Sequence, residues 1–170
     1  MAFFIVFFKP SVPIDVLYWI TGVIAIIDYV KKTQEGFLIV CEDGEISIFD
    51  ISLRSYLERL AMEGLSTVDG RMKAVGKRFG YRSRIPIYLK KNILFIVLYG
   101  LRSPKALLVN YHAVKTCRKI QKGVAISFYS NHEMLYESMA RFREAYKKAK
   151  AVSEALLDMQ DNIESAYMDF

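Results

Sequence analysis

Acidic side chains are missing from the middle of this chain. Between Arg71 and His132 there are fourteen Lys and Arg residues and no Asp or Glu. The flanks are the reverse: residues 1–70 hold five basic and ten acidic side chains, and residues 133–170 hold five and eight. A one-signed field of that length opposes folding through self-repulsion. It therefore points to a polyanion as counter-charge, with nucleic acid the first candidate.

Other residue types are scarce, and each shortage excludes something. Two cysteines, Cys41 and Cys117, make no disulfide framework. They read as buried free thiols in a reducing compartment, although sequence alone leaves a bridge between them open. Of the two histidines, His112 suits a half-buried strand and His132 the first turn of a long helix. Neither has a His or Cys at metal-ligand spacing. Gly70-x5-Gly76-Lys77-Arg78 has one residue too many between its glycines for a phosphate-binding loop, and Arg78 stands where Ser or Thr would hold magnesium. No Gly-x-Ser-x-Gly elbow occurs, and Glu42, Asp43 and Asp50 fit turns and caps. Nothing converges on a catalytic set, so the chain reads as non-enzymatic, without cofactor or metal.

Long apolar runs are also absent. The longest, Val16 to Ile27, is bracketed by Asp15 and Asp28 and falls short of the roughly 20 residues that span a bilayer. Ala2 to Phe8 lacks a preceding basic residue and a following cleavage site, which argues against a signal peptide. The expectation is a soluble cytoplasmic protein with no membrane partner. Hydrophobic residues make up 53% of 170, with eleven Phe and eleven Tyr, which excludes disorder and suffices for one core.

The pattern predicts an α+β fold: a mostly antiparallel sheet, a short helix in the N-terminal half and a long C-terminal helix. One domain covers 1–170, as a β-rich opening and helix (1–64), a basic β region (65–130) and a long helix (131–168). Asp43-Gly44 between Phe37–Cys41 and Ile46–Phe49 signals a hairpin. Asp50 or Ser52 can cap a helix through Met62, with Leu53, Leu57, Leu60 and Ala61 on one face and Gly64 at its end. Ser66 to Tyr81 reads as a polar, glycine-punctuated stretch. Strands are expected at Ile85–Leu89, Ile93–Tyr99, Ala106–Tyr111 and Val124–Tyr129, with a loop at Gly100–Lys105. Ser130-x-x-Glu133 reads as a capping box opening a helix from Glu133 to Tyr167. At 1.5 Å per residue it outruns a small domain, so it either breaks near Val152-Ser153 or projects.

The cluster Arg71, Lys73, Lys77, Arg78, Arg82 and Arg84 is interleaved with glycines, Phe79 and Tyr81. Flexible backbone, guanidinium forks and rings together suit a phosphate backbone or a groove. Lys90, Lys91, Arg102 and Lys105 complete the candidate DNA-binding set. On the long helix Tyr146, Leu156 and Ile163 share an apolar stripe, read as a homo-oligomer interface. The acidic end, Glu154 to Asp169, reads as a mask over the basic block, a docking site for an adaptor, or a soluble helix end.

From Ser66 to Tyr146 the chain resembles the bacterial competence transcription factor family (ComK-like). The resemblance is carried by Ser66-x-x-x-Gly70-Arg71, by Arg84-Ile85-Pro86-Ile87, and by the strand Ile93–Tyr99 with Ser103-Pro104 beyond it. Ile126-Ser127-Phe128-Tyr129-Ser130, followed by Leu135-Tyr136 and Arg141, completes it. Ala106 and Leu108 stand where the family has Cys and Trp, and Leu98 and Gly100 replace small polar residues. The resemblance implies a nucleoid-associated transcription activator that binds paired A·T-rich boxes as a multimer, largely through the minor groove. It also implies a regulatory adaptor protein that controls abundance. Two other readings are a module for an acidic protein partner and an RNA-binding protein.

Overall fold

Residues 26–48 and 51–168 are described by the computed structural model, with side chains described as far as residue 160. Strand alternation builds the architecture. In β5 (Ile93–Tyr99) six consecutive residues are buried. Ile93, Phe95 and Val97 enter one core, while Leu94, Ile96 and Leu98 enter another on the opposite face. β5 belongs to a six-stranded antiparallel sheet with β1 (Ile27–Lys32), β2 (Phe37–Cys41), β3 (Gly44–Ile48), β4 (Ile87–Lys90) and β6 (Leu107–Asn110). The strand order is β3-β2-β1-β6-β5-β4.

Each face has its own cover. α1 (Leu53–Glu63) brings Leu53, Tyr56, Leu57, Leu60 and Ala61 onto the first core, capped by Ser52 as its sequence predicts. A second sheet, β7 (Val114–Ile120), β8 (Gly123–Phe128) and β9 (Glu133–Tyr136), closes the other face with α3 (Met139–Met168). Phe142, Ala145, Ala149 and Val152 of α3 recur every three or four residues and are buried there. Each large side chain so buried contributes about 1.5–3 kcal/mol. The expected α+β architecture is the observed one.

Two buried polar groups join the parts. Asn110 donates from Nδ2 to the Ile27 and Asn92 carbonyls at 2.8 and 3.0 Å, and its Oδ1 accepts from Leu94 and His112 N–H groups. Asp28, 1% exposed on β1, accepts from Ser130 Oγ at 2.5 Å and lies 2.9 Å from His132 Nδ1. The turn before β9 is thereby tied to the large sheet.

Several expectations need correction. The stretch from Ser66 to Tyr81 is not an irregular loop: α2 runs Val68–Phe79, capped by Thr67 and ended by Gly80 at φ 71°. Its Val68 and Met72 pack on the first core and its Val75 and Phe79 on the second, so it passes the edge strand β4. Ser130-x-x-Glu133 opens no helix. Asn131 turns the chain at φ 71°, and β9 pairs with β8 because Met134 and Tyr136 alternate inward. The long helix starts instead after Ser138, whose Oγ accepts from the Arg141 N–H, and it does not break at Val152-Ser153. His132 therefore lies in a turn, and His112 lies exposed in a 3-10 turn rather than a strand. Cys41 is buried and free, but Cys117 is exposed on β7, a strand that the sequence reading missed. Asp50, the whole Ala2–Phe8 run and most of the Val16–Ile27 run lie outside the described residues. Among those described, no helix is long and apolar enough to cross a membrane.

Gly123 opens β8 at φ 121°, where an added Cβ would collide with the backbone carbonyl of Tyr136. Gly80 has positive φ but open space around it. Gly123→Ala should therefore lower unfolding free energy by at least ~1 kcal/mol more than Gly80→Ala, measured by urea denaturation.

Candidate nucleic-acid interface

The basic residues divide into those the fold has engaged and those it leaves free. α2 turns Val68, Met72, Val75 and Phe79 inward, which places Lys73 and Lys77, four residues apart, on its solvent face. Arg82, Lys91, Arg102 and Lys105 are also exposed. None of these six has an acidic partner among the described residues.

Four members of the predicted set are engaged. Arg71 folds back toward the end of α1: its Nη2 donates to the Gly64 carbonyl at 3.4 Å, and its guanidinium lies 5.3 Å from the Tyr88 ring centre. Arg78 contacts Met159 Sδ at 3.7 Å while remaining exposed. Arg84 pairs with Glu144 at 3.3 Å, and Lys90 with Glu63 at 3.4 Å. Arg118, outside that set, pairs with Glu133 at 3.6 Å. Acids from both flanks thus reach back to three of the fourteen basic residues. The one-signed field in sequence is thinner in space.

The fold also adds basic groups that the sequence reading passed over. β7 is an edge strand in which Lys115 to Lys119 are all exposed, and Lys122 sits at the tip of the β7–β8 hairpin. Lys31 and Lys32, from the acidic N-terminal third, line a cavity of about 470 Å3 together with Lys105. Exposure in all five residues from 115 to 119 leaves no hydrophobic alternation to read, which hid β7. The Lys31–Lys105 meeting depends on β1 pairing with β6, where Lys31 opposes Leu107.

The proposed oligomer stripe is partly spent within the chain. The Tyr146 ring packs at a tilt 5.1 Å from Tyr111 and 5.8 Å from Phe142, and Leu156 is half-buried on the second core. Burial and the neighbouring Tyr146 push the Tyr111 hydroxyl up to about 12. The side chain of Ile163 lies outside the described ones. Among the described residues no three His, Cys, Asp or Glu side chains gather as a metal site.

Comparison of the chain with protein-family models, characterised proteins and solved structures finds no match.

Glu144 offers a check on the local electrostatics. A hydrogen bond and the charge of Lys148, 3.0 Å away, hold its carboxyl below the usual glutamate range, with Arg84 adding to the effect. A lowered folded value means that any stabilisation is present at neutral pH and is lost as pH falls through that value. Carbon-detected NMR titration should place the Glu144 midpoint below that of an ordinary glutamate. Lys148→Met should raise it.

Proposed function

We propose that this protein is a non-enzymatic, duplex DNA-binding regulator that holds DNA mainly through phosphate contacts. The observation that supports this best is the set of exposed, unopposed lysines on α2 and in the neighbouring turns and hairpin, Lys73 and Lys77 foremost. Ammonium groups spaced along a solvent face release counterions from a phosphate backbone without requiring a shaped pocket. Because residues 68–79 form a capped helix, entry of a flexible arginine arm into the minor groove is no longer part of the reading. A preference for A·T-rich duplex and an adaptor partner follow only from the competence-factor resemblance. Self-association is proposed for the part of α3 beyond Ser153, where Leu157 and Met159 are exposed.

One observation favours a second reading, a module for an acidic protein partner. Among the described residues β7 presents an unpaired edge with basic side chains on both faces, and such an edge can accept an extended acidic strand. Lysines on an edge also block self-pairing, which makes this the weaker of the two.

Mobility shifts across a salt series test the leading reading. If about six phosphates are engaged, log K should fall against log salt with a slope near −5, and a flat slope removes the proposal. Lys73→Ala with Lys77→Ala should weaken duplex binding about tenfold and leave the thermal midpoint unchanged. Arg71→Ala should do the reverse, lowering the thermal midpoint while DNA affinity holds, because its guanidinium is engaged within the fold.

A further inference from the structure

Four arginines from three separate segments meet around one cavity of about 300 Å3. Arg54 comes from α1, Arg82 and Arg84 from the turn after α2, and Arg102 from the loop after β5. The floor is apolar, with Met72 and Leu101 packed on the first core. Asp69 is the one acid in the lining, and Arg54 Nη2 holds it at 2.6 Å. The remaining guanidiniums leave the cavity with a positive surplus.

The walls are braced from outside. Arg84 has φ 46°, a left-handed conformation that an arginine adopts only where its surroundings impose it. Glu144 holds its guanidinium, and Lys148 Nζ donates to the Ser83 carbonyl at 2.9 Å, so α3 supports this turn at two points. Opposite, the Ser103 N–H donates to the Gly100 carbonyl and the Ala106 N–H to the Ser103 carbonyl, closing the loop that carries Arg102. Arg82 and Arg102 are exposed at the rim, with no acidic partner among the described residues.

We propose that this cavity binds a phosphorylated small molecule of mononucleotide size, its phosphate between Arg82 and Arg102 and its body on the apolar floor. Guanidinium forks match phosphate oxygens in pairs, and the volume falls at the lower end of small-molecule sites. A phosphodiester of a nucleic-acid backbone presents the same oxyanion chemistry. A terminal phosphate carries close to two negative charges at neutral pH where a diester carries one, so the positive surplus favours the free ligand. The inference does not rest on the duplex-binding reading, since Lys73 and Lys77 are not among the residues that line the cavity.

Calorimetric titration of the full chain tests it, with adenosine monophosphate and pyrophosphate as probes and adenosine and a dinucleoside monophosphate as comparisons. At least one probe should saturate, and both comparisons should bind about tenfold or more weaker. Arg82→Gln with Arg102→Gln, both at exposed positions, should cost the bound probe about tenfold or more, while Lys73→Ala with Lys77→Ala should cost little. Saturation by neither probe overturns the proposal, and so does equal binding of adenosine. Equal binding of the diester shows a backbone site instead, and equal loss in the two double variants shows diffuse charge attraction. Duplex binding measured on the same proteins keeps the two readings separate: a chain that holds the probe but no duplex retains this site and loses the other function.

Discussion

A sheet that is buried on both faces leaves its central strands no tolerance for slippage. Moving β5 by one residue would exchange Phe95 for Leu94 and Val97 for Ile96 across two differently shaped cores. The linings of both cavities depend on that sheet. The loop after β5 carries Arg102, the turn before β4 carries Arg82 and Arg84, and β1 and β6 bring Lys31 beside Lys105. Because the interior admits one register, the surface charges acquire fixed neighbours. Fixed backbone positions are what gather a basic composition into distinct clusters.

The electrostatic picture is one of sorting rather than accumulation. Glu63, Glu133 and Glu144 each come from an acidic flank and each engage one residue of the basic block. Exposed pairs of this kind contribute little to stability, commonly below about 1 kcal/mol. Lys73 and Lys77 face solvent on α2, while Arg54, Arg82, Arg84 and Arg102 line one concavity and Lys31, Lys32 and Lys105 another. Ammonium and guanidinium groups differ in what they recognise, so the α2 lysines and the arginine-lined concavity would suit different ligands.

Much of this was legible where local chemistry and tertiary context agree. α1, the β2–β3 hairpin at Asp43-Gly44 and the β4–β5 turn at Lys91-Asn92 lie where their caps, turn residues and periodicity put them. α2 was missed although its stop and start signals are present: Thr67 before the helix, Asp69 in its first turn, Lys77 and Arg78 in its last, and Gly80 after it. Gly70 and Gly76 masked them. Gly76 is explained by packing, since a Cβ there would lie 3.0 Å from the Tyr81 carbonyl oxygen. β9 was misread because Ser130 and Glu133 have helix-capping spacing, and only the pairing with β8 reveals them as part of a hairpin. The arginine cavity was half visible: Arg82, Arg84 and Arg102 were candidates, whereas Arg54 enters from a helix that sequence spacing cannot bring near them.

The strand order has a kinetic corollary. β1, β2 and β3 form one local meander and β4, β5 and β6 another, each with short connections. Within the sheet the two are joined where β1 pairs with β6, in a register of three residue pairs reinforced by the Asn110 bond to Ile27, 83 positions distant. Loop-closure entropy opposes so distant a contact, so this junction is expected to form after the local pairings within each meander. The α1–α2 segment bridges the halves as one connection. A chain divided within it would yield two pieces, each carrying its own meander and one side of the missing junction.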